Sequence, residues 1–292
     1  MSKKQWIVML GLVALGTLLA LTAASMPPLA SAQCPYLVLQ DTQQRVHSLS
    51  VTTSGGGPTS MVKTLQKSPA KSAVIDLEIG ENIPDRLFTW LDSTLAGKGK
   101  AQKIGASYKS GSSKVADGTF QNAKIVEFST PALRASDNRS AFASVKLQTG
   151  TPSIKVKPGV LPADPVPHVG FRSNRYRISI GGSEFQHVSE ISTITWTPSG
   201  VSDVTLIGPN QQATLQTLSD WTKQATLGGP GSVKKDVVVE FLDDRYKPVL
   251  KAELRGTFPE SWNWNEAGEL AGQSNLVEWS LRLSVESMNL SR

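Results

Sequence analysis

The chain of 292 residues is long enough for one large or two ordinary domains with a sizeable core. Charged residues make up 18% and aromatics 7%, a globular composition that excludes an intrinsically disordered chain. The formal charge is +6, and setting aside Lys3 and Lys4 leaves 28 basic against 24 acidic residues. So small and dispersed an excess argues for a solvated surface and against a specific nucleic-acid contact.

The first element is a targeting segment, residues 1–32. "MSKK" is a positive opening, "WIVMLGLVALGTLLALTAA" (Trp6 to Ala24) an uninterrupted apolar run, and "ASA" (Ala30 to Ala32) a small-residue cleavage site. This order predicts export through a Sec-type signal to the cell envelope or the extracellular space. The run is also long enough to span a bilayer if uncleaved, which would be the only membrane contact. Cys34, the single cysteine, admits a lipid-modified alternative, although Gln33 before it is bulky where a small residue is expected. With one cysteine there is no internal disulfide and no cysteine-based metal site.

The mature chain reads as two related β domains, 33–150 and 174–292, separated by a proline-rich linker, 151–173. In the linker Pro152, Pro158, Pro162, Pro165 and Pro167 disfavour a helix and a central strand alike. Each half opens with a hairpin, "YLVLQDTQQRVHSLSV" from Tyr36 and "YRISIGGSEFQHVSEIS" from Tyr176. Next comes a strand leading to one helix that carries a tryptophan, Trp90 or Trp221. Leu87, Leu91 and Leu95 in the first helix, and Leu215, Leu218 and Trp221 in the second, put an apolar stripe on one face. Gly97 and Gly228 are the expected stops. The closing strands alternate in step: Ala141, Ala143, Val145 and Leu147 match Val277, Trp279, Leu281 and Leu283 on one dry face. The fold class is therefore all-β with one short helix per domain: two tandem antiparallel sandwiches or barrels of about six or seven strands. The stretch "TTSGGGPTSMVKTLQKSPAKS" (Thr52 to Ser72) has no equally long counterpart in the second half and reads as an assembly arm or an ordinary loop.

No catalytic, cofactor-binding or metal-ligating residues emerge, no cofactor is implied, and the chain reads as a non-enzyme. Of the three histidines, His47 and His187 fall at matching places in the two hairpins and His168 lies in the linker. Asp243 and Asp244 in "LDDRYKP" read as a solvated turn between strands. Trp196, Trp262 and Trp264 fit core or subunit-interface anchors, or a platform for sugar rings.

The second half, Asn174 to Leu290, resembles the phage tail-tube protein family. The likeness is carried by "DVTLIGPNQQATLQTLSDW", "KKDVVVEFLDDRYKPVLKAELRGTFPESW" and "NLVEWSLRLSVESMNL" in that order. The family's proline–aromatic corner falls on Phe258, Pro259 and Trp262, and its closing strand ends with Glu286 and Leu290. The first half matches only in outline, since "FSTPAL" lacks the following tryptophan. The resemblance implies sheets joined laterally into rings that stack into a hollow tube, and a corner that turns a core strand sharply. A secretory signal and a tandem of two domains depart from the family pattern. The implied role is a structural subunit that self-associates, three chains giving a pseudo-sixfold ring. A sugar- or cell-wall-binding module is the alternative.

Overall fold

The computed structural model describes residues 35–53, 71–161, 169–229, 233–266 and 277–292. The targeting segment, Cys34, residues 54–70 of the long stretch in the first half, and His168 lie outside the described residues.

Alternation of apolar and polar residues makes the described chain predominantly antiparallel β-structure with two helices. The first repeat contains β1 (Tyr36–Leu39), β2 (Thr42–Arg45), β3 (Ser48–Thr53), β4 (Ala73–Ile79), α1 (Asp85–Leu95), β5 (Gln102–Lys109) and β6 (Lys114–Ser129). It continues with β7 (Leu133–Arg134), β8 (Ser140–Ala141), β9 (Ala143–Thr149) and β10 (Pro152–Pro158). The second contains β11 (Phe171–Arg172), β12 (Tyr176–Ile180), β13 (Ser183–Glu184), β14 (Glu190–Ile191), β15 (Thr195–Thr197), β16 (Gly200–Val201) and β17 (Val204–Pro209). It is completed by α2 (Gln212–Gly228), β18 (Lys235–Leu242), β19 (Pro248–Glu266), β20 (Val277–Ser284) and β21 (Ser287–Ser291).

The strand order of the first repeat is β2-β1-β5-β6-β9-β4-β3, and of the second β13-β12-β18-β19-β20-β17-β14. The two paths run in the same order. Both are open sheets rather than closed barrels. Each hairpin turns through two residues of positive φ, Gln40 and Asp41 (48° and 63°) or Gly181 and Gly182 (59° and 82°), the geometry that suits strand twist.

In each repeat one long strand, β6 or β19, serves two sheets. The first stretch of β6 pairs with β5 and β10, and its last stretch with β9; β19 pairs likewise with β18 and β21, then with β20. The change of sheet coincides with a bulge at a residue of positive φ, Asn122 (52°) in β6 and Gly256 (62°) in β19. The turn of the strand therefore sits at Gly256. Pro259, part of the corner that the resemblance implies, lies within a strand that continues to Glu266; it is tolerated because this stretch pairs with a described strand on one edge only.

Both helices dock through their tryptophans. Trp90 and Trp221 are buried, and their indole N–H groups donate to the carbonyls of Lys100 (3.0 Å) and Val233 (2.7 Å). Gly97, at φ 73°, follows α1 as expected, whereas Gly228 is the last helical residue of α2 and Gly229 takes the positive φ, 68°. The closing strands face inward as their alternation predicts, with Val145, Leu147, Trp279, Leu281 and Leu283 buried, although Ala141 lies in β8, ahead of β9. One size exchange distinguishes the repeats: Ile79 opposes Ala143 in the first, and Gly208 opposes Trp279 in the second. The sum of volumes is what packing requires, and either partner can supply it.

The proline-rich stretch does not run free. Its first part is the edge strand β10, whose prolines stand at its two ends and whose single partner among the described residues is β6; residues 162–168 lie outside the described residues. All described residues belong to one unit, with a hydrophobic core that draws on both repeats.

Candidate assembly interface

The two repeats are joined by exchange of strands. After β6 the chain crosses to the second repeat, where β7 adds to the outer edge of β14, pairing Leu133 with Ile191 and Arg134 with Glu190. In return β15 of the second repeat adds to the outer edge of β6, pairing Trp196 with Phe128 and Thr195 with Ser129. Main-chain hydrogen bonds between peptide groups carry such a joint, and the side chains beneath determine its register.

The interior of the joint is dry. Phe128 is 0% exposed under β15, and Ile191 1% exposed under β7. Thr130 is buried with both its polar ends used: its N–H donates to the carbonyl of Ile194 at 3.0 Å, and its hydroxyl accepts from the N–H of Ile194 at 3.1 Å. The hydroxyls of Ser129 and Thr195 are hydrogen-bonded at 2.9 Å. Gly80 allows a close approach, because a Cβ there would lie 2.1 Å from the carbonyl oxygen of Val169; the N–H of Glu81 donates to the same carbonyl at 3.0 Å.

The rim is charged. The Arg292 side chain crosses from the end of the second repeat to α1, where it pairs with Asp85 at 2.6 Å, donates to the carbonyl of Ile83 and lies 4.3 Å from the Phe88 ring centre. Arg134 lies 3.5 Å from Glu190. Burial, reinforced by the negative charges of Asp244 and Asp243, raises the pKa of Glu81 above the usual carboxylate range. Asp244 in turn pairs with Arg175 at 2.9 Å and Arg172 at 3.6 Å. The carboxylate of Asp243 accepts the N–H groups of Arg245 (2.7 Å) and Lys247 (2.9 Å), closing the turn between β18 and β19. This acidic pair is therefore occupied in turn and rim geometry.

The tryptophans separate. Trp196 is half-buried in the joint, on the sheet of the first repeat, and beside it a cavity of about 270 Å³ is lined by Trp90, Lys100, Ile125 and Pro198 among others. Trp262 is half-buried on β19, in the sheet of the second repeat. The side chain of Trp264 lies outside the described residues. His47 and His187 do not match: the N–H of His47 donates to Glu78 as that of Ser189 donates to Ile207, so His47 corresponds to Ser189. His187 instead takes a left-handed φ of 66°, and His47 stacks on Phe142 with ring centres 3.6 Å apart. Among the described residues no group of three or more His, Cys, Asp or Glu side chains is placed to hold a metal ion.

The joint itself was missed by sequence reading. Its elements, β7 and β15, are two and three residues long, too short for any alternation to register.

No family model matches the sequence, and no curated protein is similar to it. Among solved structures, the chain is similar to a protein from the anti-feeding prophage cap, the tube-terminating cap, at 11% identity and a TM-score of 0.36 over 44% of this chain and 95% of that one. It is also similar to a protein of the anti-feeding prophage baseplate, at 14% identity and a TM-score of 0.27 over 57% of this chain and 93% of that one.

Proposed function

We propose that the protein is a non-enzymatic structural subunit, exported to the cell envelope or beyond, that self-associates into tail-tube-like rings or filaments, with 33–150 and 174–292 as its two tube-forming domains. One observation carries this reading: two copies of one topology meet within the chain by reciprocal strand addition, each completing a sheet edge of the other. Separate subunits joined head to tail in the same way would form a ring where the rotation closes and a filament where it does not. If single-domain units make six-membered rings, a chain holding two needs three copies to fill the same circle. The half-burial of Trp196 and Trp262 on different sheets supports an anchoring role over a shared sugar platform. Electron microscopy of the purified protein tests the reading. Rings or filaments are expected, and a featureless field of monomers would overturn it.

A further inference from the structure

The junction between the helix and the strand that follows it has the same construction in both halves of the chain. Trp90 donates its indole N–H to the carbonyl of Lys100, and Trp221 to that of Val233. Two residues further on, Gln102 opens β5 and Lys235 opens β18, each just before a bulge. The two junctions therefore correspond residue by residue, and they differ in what covers the tryptophan. In the second, Lys235 lies over the Trp221 ring, 5.1 Å from its centre, and Lys234 pairs with Glu286. Both lysines are engaged within the fold.

In the first junction Gln102 carries no charge, and a cavity of about 270 Å³ stands beside Trp90 instead. Trp90, Ile125, Trp196 and Pro198 give it apolar walls, and its charged lining is Lys100 and Lys124, both exposed, with no acidic residue. Among the described residues no carboxylate pairs with either lysine. Glu127, the acid nearest to Lys124 along β6, is held by Lys146 at 2.9 Å. Nor do the lysines serve the end of α1. The carbonyls of Asp92, Ser93 and Thr94 already accept the N–H groups of Ala96, Lys98 and Gly97. Gly97, at φ 73°, has open space where a Cβ would stand, so the loop passes the cavity without filling it.

The lining selects an occupant. Aromatic walls favour a flat ring face, and two ammonium groups with no acid between them favour an anion. The volume lies just below the roughly 300–1,000 Å³ typical of pockets for drug-sized ligands, so it suits one ring rather than a chain of them. We propose that this cavity binds a single-ring organic anion, with the ring against Trp196 and the acidic group held by Lys100 and Lys124. An acidic sugar and an aromatic acid share this chemistry. The site is independent of self-association.

The full chain, in micelles of an uncharged detergent at low salt, is titrated calorimetrically with galacturonate, galactose, benzoate and acetate. A dissociation constant on the order of 1 mM is expected for so small a ligand. Binding of galacturonate assigns the acidic sugar and binding of benzoate the aromatic acid, and either supports the site. Galactose, without the charge, and acetate, without the ring, should bind at least about 10-fold more weakly. Lys100→Gln and Lys124→Gln, at exposed positions, should each weaken the ring-bearing anion about 10-fold through loss of a charge-assisted hydrogen bond. Lys114→Gln, an exposed lysine outside the cavity, should leave binding unchanged. Trp196→Leu keeps an apolar wall but removes the aromatic face, and should weaken benzoate or galacturonate without changing acetate. Thermal melting verifies that it is folded, and the lysine variants carry the test if it is not. No binding of either ring-bearing acid at ten times the expected constant, equal affinity for galactose or acetate, or undiminished binding by both lysine variants would overturn the proposal. A chain that forms rings or filaments but binds none of these anions would lose this site and keep its structural role.

Discussion

Trp279→Ala tests the packing that gives the second repeat its shape. The indole is 0% exposed, meets Phe185 edge-on at 6.1 Å, and donates its N–H to the carbonyl of Pro209 at 3.0 Å. Across the ladder stands Gly208, which has no side chain to fill the space left behind. Truncation should cost about 3–5 kcal/mol, toward the upper end because the Pro209 carbonyl also loses its donor. For a chain of this size that lowers the melting temperature by about 6–20 °C. Gly208→Ala probes the pair from the other side: its Cβ would sit 2.4 Å from Trp279 Cζ2 and 2.3 Å from the His187 carbonyl oxygen, costing about 1–3 kcal/mol. In the double variant the first clash vanishes and the second persists, so the double should be less destabilised than the sum of the singles, by about 1 kcal/mol. Urea denaturation of the four proteins measures the cycle. A Trp279→Ala cost within about half a kcal/mol, typical of surface sites, would refute the burial of this strand's inner face. Strict additivity would refute the direct contact of the pair.

Gly80→Ala should destabilise the joint by about 1–3 kcal/mol, because the Val169 carbonyl that blocks the new Cβ is backbone, and denaturant midpoints measure this. Arg292→Ala removes an exposed ion pair and a cation–π contact and should cost only about 1 kcal/mol, read from the same midpoint. Tyr108 and Tyr176 are raised from 10.0 to about 12, mainly by burial, so the unfolded chain releases their protons first. Their contribution is complete below pH 10 and is lost as the pH rises toward 12, which parallel melting curves and the phenolate absorbance should show. Intact-mass measurement on the envelope or secreted fraction should find a chain beginning near Gln33; a full-length cytosolic product would contradict export, and added acyl mass on Cys34 would favour lipid modification.

The all-β class and the inner faces were legible because they are written in side-chain periodicity: the stripe of Leu218 and Trp221, and the alternation of Trp279, Leu281 and Leu283, each demand a buried face. The size exchange between Ile79 with Ala143 and Gly208 with Trp279 was not legible, since it appears only once the cross-strand pairs are known. Proline misled in two places. Pro259 was assigned to a corner and Pro152 to a linker, yet both lie within strands, where a missing N–H is harmless on an edge that pairs with described strands on one side. The joint was hidden for a different reason. Leu133, Arg134, Thr195 and Trp196 lie in ordinary loop-length segments whose partners across the joint lie more than 50 residues away, so only the three-dimensional register reveals them.

The central claim is the proposal that the chain is a structural subunit that self-associates into rings or filaments. Cryo-electron microscopy of the purified protein with two-dimensional class averaging tests it most directly. Closed rings of three chains with a sixfold appearance at low detail are predicted, or filaments built from the same repeating contact. Monomers at every concentration, or dimers closed by like edges on a twofold axis, would contradict it.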